Sequence, residues 1–256
     1  MSSPTGDRGG FAPRLRRAID RALDRASIVD ERIDPVIASE FQGIYQRCRD
    51  FSATSVERMY GLYKGVRYVL SAGIAGDLVE CGVWKGGSSM AIALALLEAG
   101  STDRSIYLYD TFEGMAAPTP VDVAIGNGRS ASAVWPTTLR EGGSTWDYSP
   151  IEEVRRNLAR TGYPSEKLVF VKGPVEQTIP GTAPRKIALL RLDTDWYEST
   201  LHELNHLYPL LEPGGVLIID DYGHWAGARK AVDEYFAKRP ILLNRLDYTG
   251  RIAVKS

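Results

Sequence analysis

Residues 77–89 read DLVECGVWKGGSS: a short apolar run, then Gly82, then Gly86 and Gly87 opening onto a segment of helical length. A buried strand that stops at glycines and turns directly into a helix is the first half of a parallel βα unit. The alternation continues downstream, with strands expected at 106–109, 168–171, 187–192 and 216–219 and helices at 87–98, 151–160, 199–211 and 226–237. In the last helix Ala228, Ala231, Val232, Tyr235 and Phe236 form one stripe at the spacing of a helix packed on a sheet. Runs at 241–246 and 252–254 read as a hairpin closing the sheet edge. The expected class is α/β: a Rossmann-like, mostly parallel sheet with helices on both faces.

Around this body lie three less regular regions. Residues 1–12 are rich in Ser, Gly and Pro and read as a disordered tail, followed by an arginine-rich amphipathic helix at 13–26 and a further helix at 55–72. The expected division is a tail with cap helices over 1–52 and the main domain over 53–256. Within that domain, residues 115–150 carry Trp135, Trp146 and Tyr148 among Gly, Pro, Ser and Thr. A connection this long inside a domain reads as a lid over a substrate pocket.

The 256 residues are 44% hydrophobic and 25% charged with a net charge of -1, which disfavours a nucleic-acid partner. Two cysteines, Cys48 and Cys81, without a CxxC pattern give no disulfide framework and fit a reducing cytoplasm. No apolar stretch approaches the ~18 residues of a membrane span, and the first residues lack the apolar segment of a signal peptide. Apolar surface on the N-terminal helix and the lid suggests a homodimer or larger oligomer.

In an open parallel sheet, ligands bind beyond the carboxyl ends of the strands. After the first expected strand, the glycines from Gly82 onward are spaced too widely for the GxGxxG pyrophosphate cradle; they suit a small carboxylate, such as the methionine end of S-adenosylmethionine. After the second, Asp110 is placed to accept ribose hydroxyls. The fourth ends in Asp193-Thr194-Asp195 and the fifth in Asp220-Asp221, so four carboxylates converge on one edge, which calls for a cation or dense hydrogen bonding. All-oxygen ligands favour magnesium. Neighbouring side chains on a strand point to opposite faces, so Asp220 and Asp221 can share an ion only if the strand has ended before them. Asp193 and Asp195 would share a face if the chain stays extended. A competing pattern, HExxH at His202-Glu203-Leu204-Asn205-His206, belongs to zinc peptidases. The apolar stripe of Leu201, Leu204, Tyr208 and Leu211 puts both histidines on the opposite, solvent side, which argues against a zinc site.

Taken together, ECGVWKGGS, YDTFEG, FVKGPVEQTIP, LRLDTDWYEST and PGGVLIIDDYGHW resemble the macrocin O-methyltransferase family over about residues 54–236. The resemblance implies a class I, S-adenosylmethionine-dependent methyltransferase with a seven-stranded sheet. It implies Asp193, Asp220 and Asp221 as Mg2+ ligands and Asp195 as general base. Glu80, Gly82, Ser88, Asp110, Phe112, Val175 and Glu176 would bind the cofactor, and a sugar hydroxyl would accept the methyl group. The alternatives are a catechol-type acceptor or a cofactor-binding protein without turnover.

Overall fold

The structure, a computed structural model, describes residues 35–256. The expected helix at 13–26 lies outside the described residues. The chain divides between Gln42 and Gly43, within helix α1 (Pro35–Cys48), and the unit from Gly43 onward carries the fold.

In that unit, α2 (Val56–Ser71) leads to β1 (Asp77–Cys81), α3 (Gly87–Glu98) and β2 (Ile106–Asp110). Next come short pieces, α4 (Ala131–Val134), β3 (Leu139–Arg140) and β4 (Gly143–Ser144), followed by α5 (Ile151–Ala159), β5 (Leu168–Lys172) and α6 (Val175–Thr178). The chain ends with β6 (Ile187–Leu192), α7 (Tyr197–His206), β7 (Leu211–Ile219), α8 (Ala226–Phe236), β8 (Asn244–Arg245) and β9 (Arg251–Val254). Seven strands form one sheet in the order β5-β2-β1-β6-β7-β9-β8. The first five in that order run parallel; β9 pairs antiparallel with β7, and β8 pairs antiparallel with β9, closing the edge as a hairpin.

Side-chain alternation assigns the two faces. Val79, Cys81, Leu190, Leu192, Leu217 and Ile219 pack with Leu204 and Leu207 at the α7 end and with Val232 and Phe236 of α8. On the other face Leu189 and Val216 approach Gly65 of α2 closely enough that a β-carbon there would lie 3.1 Å from Leu189. Glu80 and Arg191 belong to this second face and are direct register partners. Strand order reverses between β1 and β6, so the chain ends of β1, β2, β6 and β7 surround the crevice where such folds bind ligands.

The helix expected over 199–211 is shorter and starts earlier: α7 stops at His206 and the chain passes through a 3-10 turn at Tyr208–Leu210. Pro209 has no amide hydrogen to continue the α ladder there.

The expected lid is folded rather than open chain. It carries a bridge between Ala124 and Trp225, and Ala124 and Ala131 pack with Trp196, Trp225, Ala228, Met115 and Trp146. Buried Asp122 accepts from the Thr119 amide and hydroxyl, at 2.6 and 2.8 Å, and from the first amide of α7, Tyr197, at 2.8 Å. The lid thus caps the helix that follows β6.

Gly82 joins β1 to the site. Its φ is 82°, and an added β-carbon would lie 1.9 Å from the Asp193 carbonyl oxygen. Gly82→Ala is expected to lose upwards of ~1–3 kcal/mol of unfolding free energy from the left-handed backbone alone. Gly126→Ala, at a site with open space, should change little. Urea unfolding of both variants checks this; equal midpoints would contradict it.

Candidate active site

Arg191 sits in the fully buried strand β6 with 1% of its side chain exposed. A guanidinium there must find acceptors for its rigid fork of donors. Nη1 donates to Glu80 at 2.5 Å and to Ser88 Oγ at 3.3 Å. Nη2 reaches Asp220 at 2.6 Å, Asp193 at 2.8 Å and Thr54 Oγ1 at 3.0 Å. A second arginine arrives from the first turn of α2, whose Ser55 hydroxyl caps the Arg58 amide. Arg58 pairs with Asp220 through Nη1 and with Asp247 through Nε at 2.9 Å. Asp247 in turn accepts from Ser55 Oγ and from the amides of Thr249 and Gly250 in the β8–β9 connection.

These arginines divide the acidic edge. Burial alone would raise Asp220, but Arg191 and Arg58 outweigh it and hold the carboxyl below the usual range. Asp193, Asp195 and Asp221 open on the cavity yet lie deep in the molecule. Burial, augmented by their mutual repulsion, pushes all three well above the usual range. One oxygen of each lies within 4.8 Å of the others. Such a set needs protons or a cation, and its all-carboxylate chemistry suits a hard divalent ion.

Local backbone explains the convergence. β7 ends at Ile219, so Asp220 and Asp221 both lie past the strand and separate, one toward the arginines and one toward the cluster. The chain does not stay extended through Asp193-Thr194-Asp195: Asp195 has φ 67°. A left-handed non-glycine residue costs energy that surrounding structure must offset, and such residues concentrate at functional sites. The turn is held by the Asp193 amide on the Cys81 carbonyl at 2.8 Å and the Trp196 amide on the Thr194 carbonyl at 2.8 Å.

A cavity of about 350 Å3 opens in front of these groups, within the size range of small-molecule sites. Gly82, Ser88, Asp110, Val175, Glu176, Asp193, Asp195, Asp220 and Asp221 all line it, as do Arg58, the three tryptophans 146, 196 and 225, His224 and Tyr248. The tryptophans meet edge to face, Trp196 and Trp225 with centroids 4.9 Å apart. Asp110 accepts from the amides of Val83 at 2.7 Å, Trp84 at 3.0 Å and Phe112 at 2.7 Å. Burial still leaves its carboxyl raised. The Thr111 hydroxyl adds a longer contact at 3.5 Å, so each of the roughly four lone-pair positions of the carboxylate faces a donor, the last only weakly.

Two residues expected at the cofactor are absent from the cavity wall. Glu80 is fully buried, with its carboxylate on Arg191 and Ser89 Oγ. Its place in mid-strand on the α2 face turns it inward, so it supports the glycine turn from behind. Phe112 is 3% exposed, sits at φ 52° and packs on Phe170. The HExxH histidines do not face open solvent as expected: both are half-buried, and the His202 ring lies 3.0 Å from the Ile179 carbonyl. Residue Glu203 between them is wholly buried. Arg191 could have been found in the sequence, because one arginine inside an apolar, doubly covered strand must have acidic neighbours. Arg58 left no such signal.

The pattern of the macrocin-O-methyltransferase (TylF) family matches residues 46–253. Among curated proteins, the 8-demethyl-8-(2,3-dimethoxy-alpha-L-rhamnosyl)-tetracenomycin-C 4'-O-methyltransferase of Streptomyces olivaceus is 36% identical over 197 residues, 76% of this chain and 72% of that protein. The mycinamicin III 3''-O-methyltransferase of Micromonospora griseorubida is 34% identical over 186 residues, 70% of this chain and 68% of that protein. Of solved structures, that of the O-methyltransferase NovP superposes with a TM-score of 0.70 at 30% identity, covering 80% of this chain and 82% of that one. With the sheet order, the glycine turn and the acidic edge, these likenesses define the class: an S-adenosylmethionine-dependent O-methyltransferase. The chain belongs to the macrocin-O-methyltransferase family.

The raised carboxyls set a pH dependence. A carboxyl held above its unfolded value of ~3.9 binds its proton more tightly when folded, so its stabilisation is complete below that value and is lost as pH rises toward the folded-state value. In EDTA, wild type is therefore expected to lose stability as pH rises above ~3.9, and Asp195→Asn, with one titrating group removed, should lose less over the same range. Parallel pH profiles from chemical denaturation would contradict the assignment.

Proposed function

We propose that this enzyme methylates a hydroxyl of a sugar, carried on an oligosaccharide, a glycolipid or a glycosylated natural product, with a divalent cation, Mg2+ by its ligand chemistry, at the acidic edge. The observation that carries the cation is the set of carboxylates crowded in front of Arg191 with too few positive charges to balance them. The relatives' sugar acceptors support the choice of hydroxyl, as do the aromatic rings at the cavity wall, which suit the apolar face of a sugar ring.

The four carboxylates take different roles because their surroundings push their proton affinities apart. Asp220 is held ionised by two arginines and lies against Asp193, so it is a ready anionic ligand oriented from behind. With Asp193 and Asp221 it forms the proposed ligand set. Asp195 touches neither arginine, and burial, with repulsion from Asp193, Asp147 and Asp220, holds its carboxyl well above the usual range. Its basicity is therefore kept high, which suits it to take the proton from the acceptor hydroxyl. Bound at this set, a divalent cation supplies Lewis acidity that lowers the hydroxyl's pKa. S-adenosylmethionine supplies the activated methyl group. Gly82 and Ser88 at the glycine turn, Asp110 after β2, and Val175 and Glu176 of α6 would hold it, with Glu80 and Phe112 behind the wall rather than in it. The Trp146, Trp196 and Trp225 wall excludes water and aligns the acceptor ring.

Both cysteines are unpaired and buried, which supports work in a reducing cytoplasm, and we place the active form as a homodimer or larger oligomer. Among the described residues no helix is long and apolar enough to cross a membrane.

Labelled methyl transfer to a panel of glycosides and catechols tests the reading. We expect transfer to glycosides in Mg2+, its loss in EDTA, and a fall of at least ~10²-fold in kcat for Asp195→Asn, the scale of general-base catalysis. Chelator-resistant transfer, preference for catechols, or cofactor binding without any transfer would each overturn it.

A further inference from the structure

Glu203 has no role in the site described so far, although it is the most deeply placed acid of α7. The residue is 0% exposed. Its Oε1 accepts from the Thr194 hydroxyl at 3.0 Å, and its Oε2 is buried without a hydrogen-bond partner. Cys81, the last residue of β1 and itself fully buried, lies beside it. Thr194 is the single residue between Asp193 and Asp195, in the turn where Asp195 takes its left-handed backbone.

An ionised carboxylate with one donor and one empty oxygen in the core would carry a large desolvation cost. Among the described residues no ion pair reaches it, and the nearby carboxylates Glu176 and Asp221 repel its charged form. The carboxyl is therefore retained as a neutral acid, and burial pushes it well above the usual range. In that form it keeps an acceptor for Thr194 without adding charge behind the cation site. A leucine of similar size would fill the space at this position at lower cost, and what a leucine lacks is the acceptor. Without it the half-buried Thr194 side chain, which also lines the cavity, would lose the contact that orients its hydroxyl. Its backbone is otherwise fixed by the Trp196 amide and the Ser199 hydroxyl on its carbonyl.

We propose that Glu203 is a positioning residue of the reaction: by holding the Thr194 side chain toward α7 it fixes the turn from which Asp193 and Asp195 converge on the cavity. This rests on the roles proposed for those two aspartates. It also accounts for the HExxH pattern without zinc, since the glutamate is turned inward as a brace while the histidines lie along the flank of the helix.

The test compares Glu203→Gln, Glu203→Leu, Thr194→Val and Thr194→Ser in steady-state kinetics of methyl transfer, with thermal unfolding and S-adenosylhomocysteine binding to certify folding. Small misplacement of reacting groups costs up to ~10²-fold. We expect Glu203→Leu and Thr194→Val to lower kcat at least about tenfold with both KM values within about threefold, and the double variant to be no worse than the weaker single. Glu203→Gln and Thr194→Ser, which keep the acceptor and the hydroxyl, should retain kcat within about threefold and leave its pH profile in place. A folded Thr194→Val with wild-type kcat overturns the proposal even if Glu203→Leu fails to fold. A Glu203→Gln enzyme with a shifted pH profile overturns it too, because the residue would then act as a charge. Absence of transfer by wild type would instead strike the proposed function, so the two failures are separable.

Discussion

The burial of one guanidinium organises this enzyme's edge. Arg191 stands in a strand covered on both faces, where an unpaired charge would cost several kcal/mol, so the chain around it is committed to supplying acceptors. Glu80 supplies one from the neighbouring strand at the same register, which pins β1 to β6. Asp220 supplies another from beyond β7, and Thr54 and Ser88 bring in the approach to α2 and the start of α3. Removing the arginine would leave Glu80 as a buried, uncompensated charge and Asp220 with Arg58 alone, a loss of about 3–5 kcal/mol. Its presence has a chemical consequence as well. Of five carboxylates at the edge, Glu80 and Asp220 are neutralised directly, Asp193 is shared, and Asp195 and Asp221 are left with each other. That imbalance is the electrostatic demand for a cation.

The lid shares in the same design. Asp122 caps α7, and the Trp146, Trp196 and Trp225 rings join the lid to the residues immediately after Asp195 and before α8. The lid and the turn that carries Asp195 therefore share one packed aromatic cluster, with the Thr194–Glu203 contact on the other side of that turn.

Much of the fold was legible because strands buried on both faces must be short apolar runs: β1 and β6 match their expected bounds, and α3 does as well. β7 begins earlier than expected, at Leu211, because Glu212-Pro213-Gly214-Gly215 disguises its first half as a turn. The lid's elements are two to four residues long and exist only through tertiary contacts, which no local pattern records. At the site, position after a strand was enough to find the aspartates and the glycine turn, since topology brings all strand ends to one edge. What position could not give was direction. Glu80 faces inward because of its register with Arg191, Asp195 reaches the cluster by a left-handed backbone rather than an extended one, and Arg58 meets Asp220 across a separation of 162 residues. The histidines of HExxH were expected on a solvent face, and the contact of His202 with Ile179 partly covers them.

The proposed division, in which the arginines hold Asp220 as an ionised ligand and Asp195 serves as base, is tested most directly by crystals soaked in Mn2+ and measured for anomalous scattering. A peak at coordination distance from Asp193, Asp220 and Asp221, with Asp195 outside the coordination sphere, is the expected result. A peak held by Asp193, Asp195 and Asp221, with Asp220 bound only to Arg58 and Arg191, would contradict it.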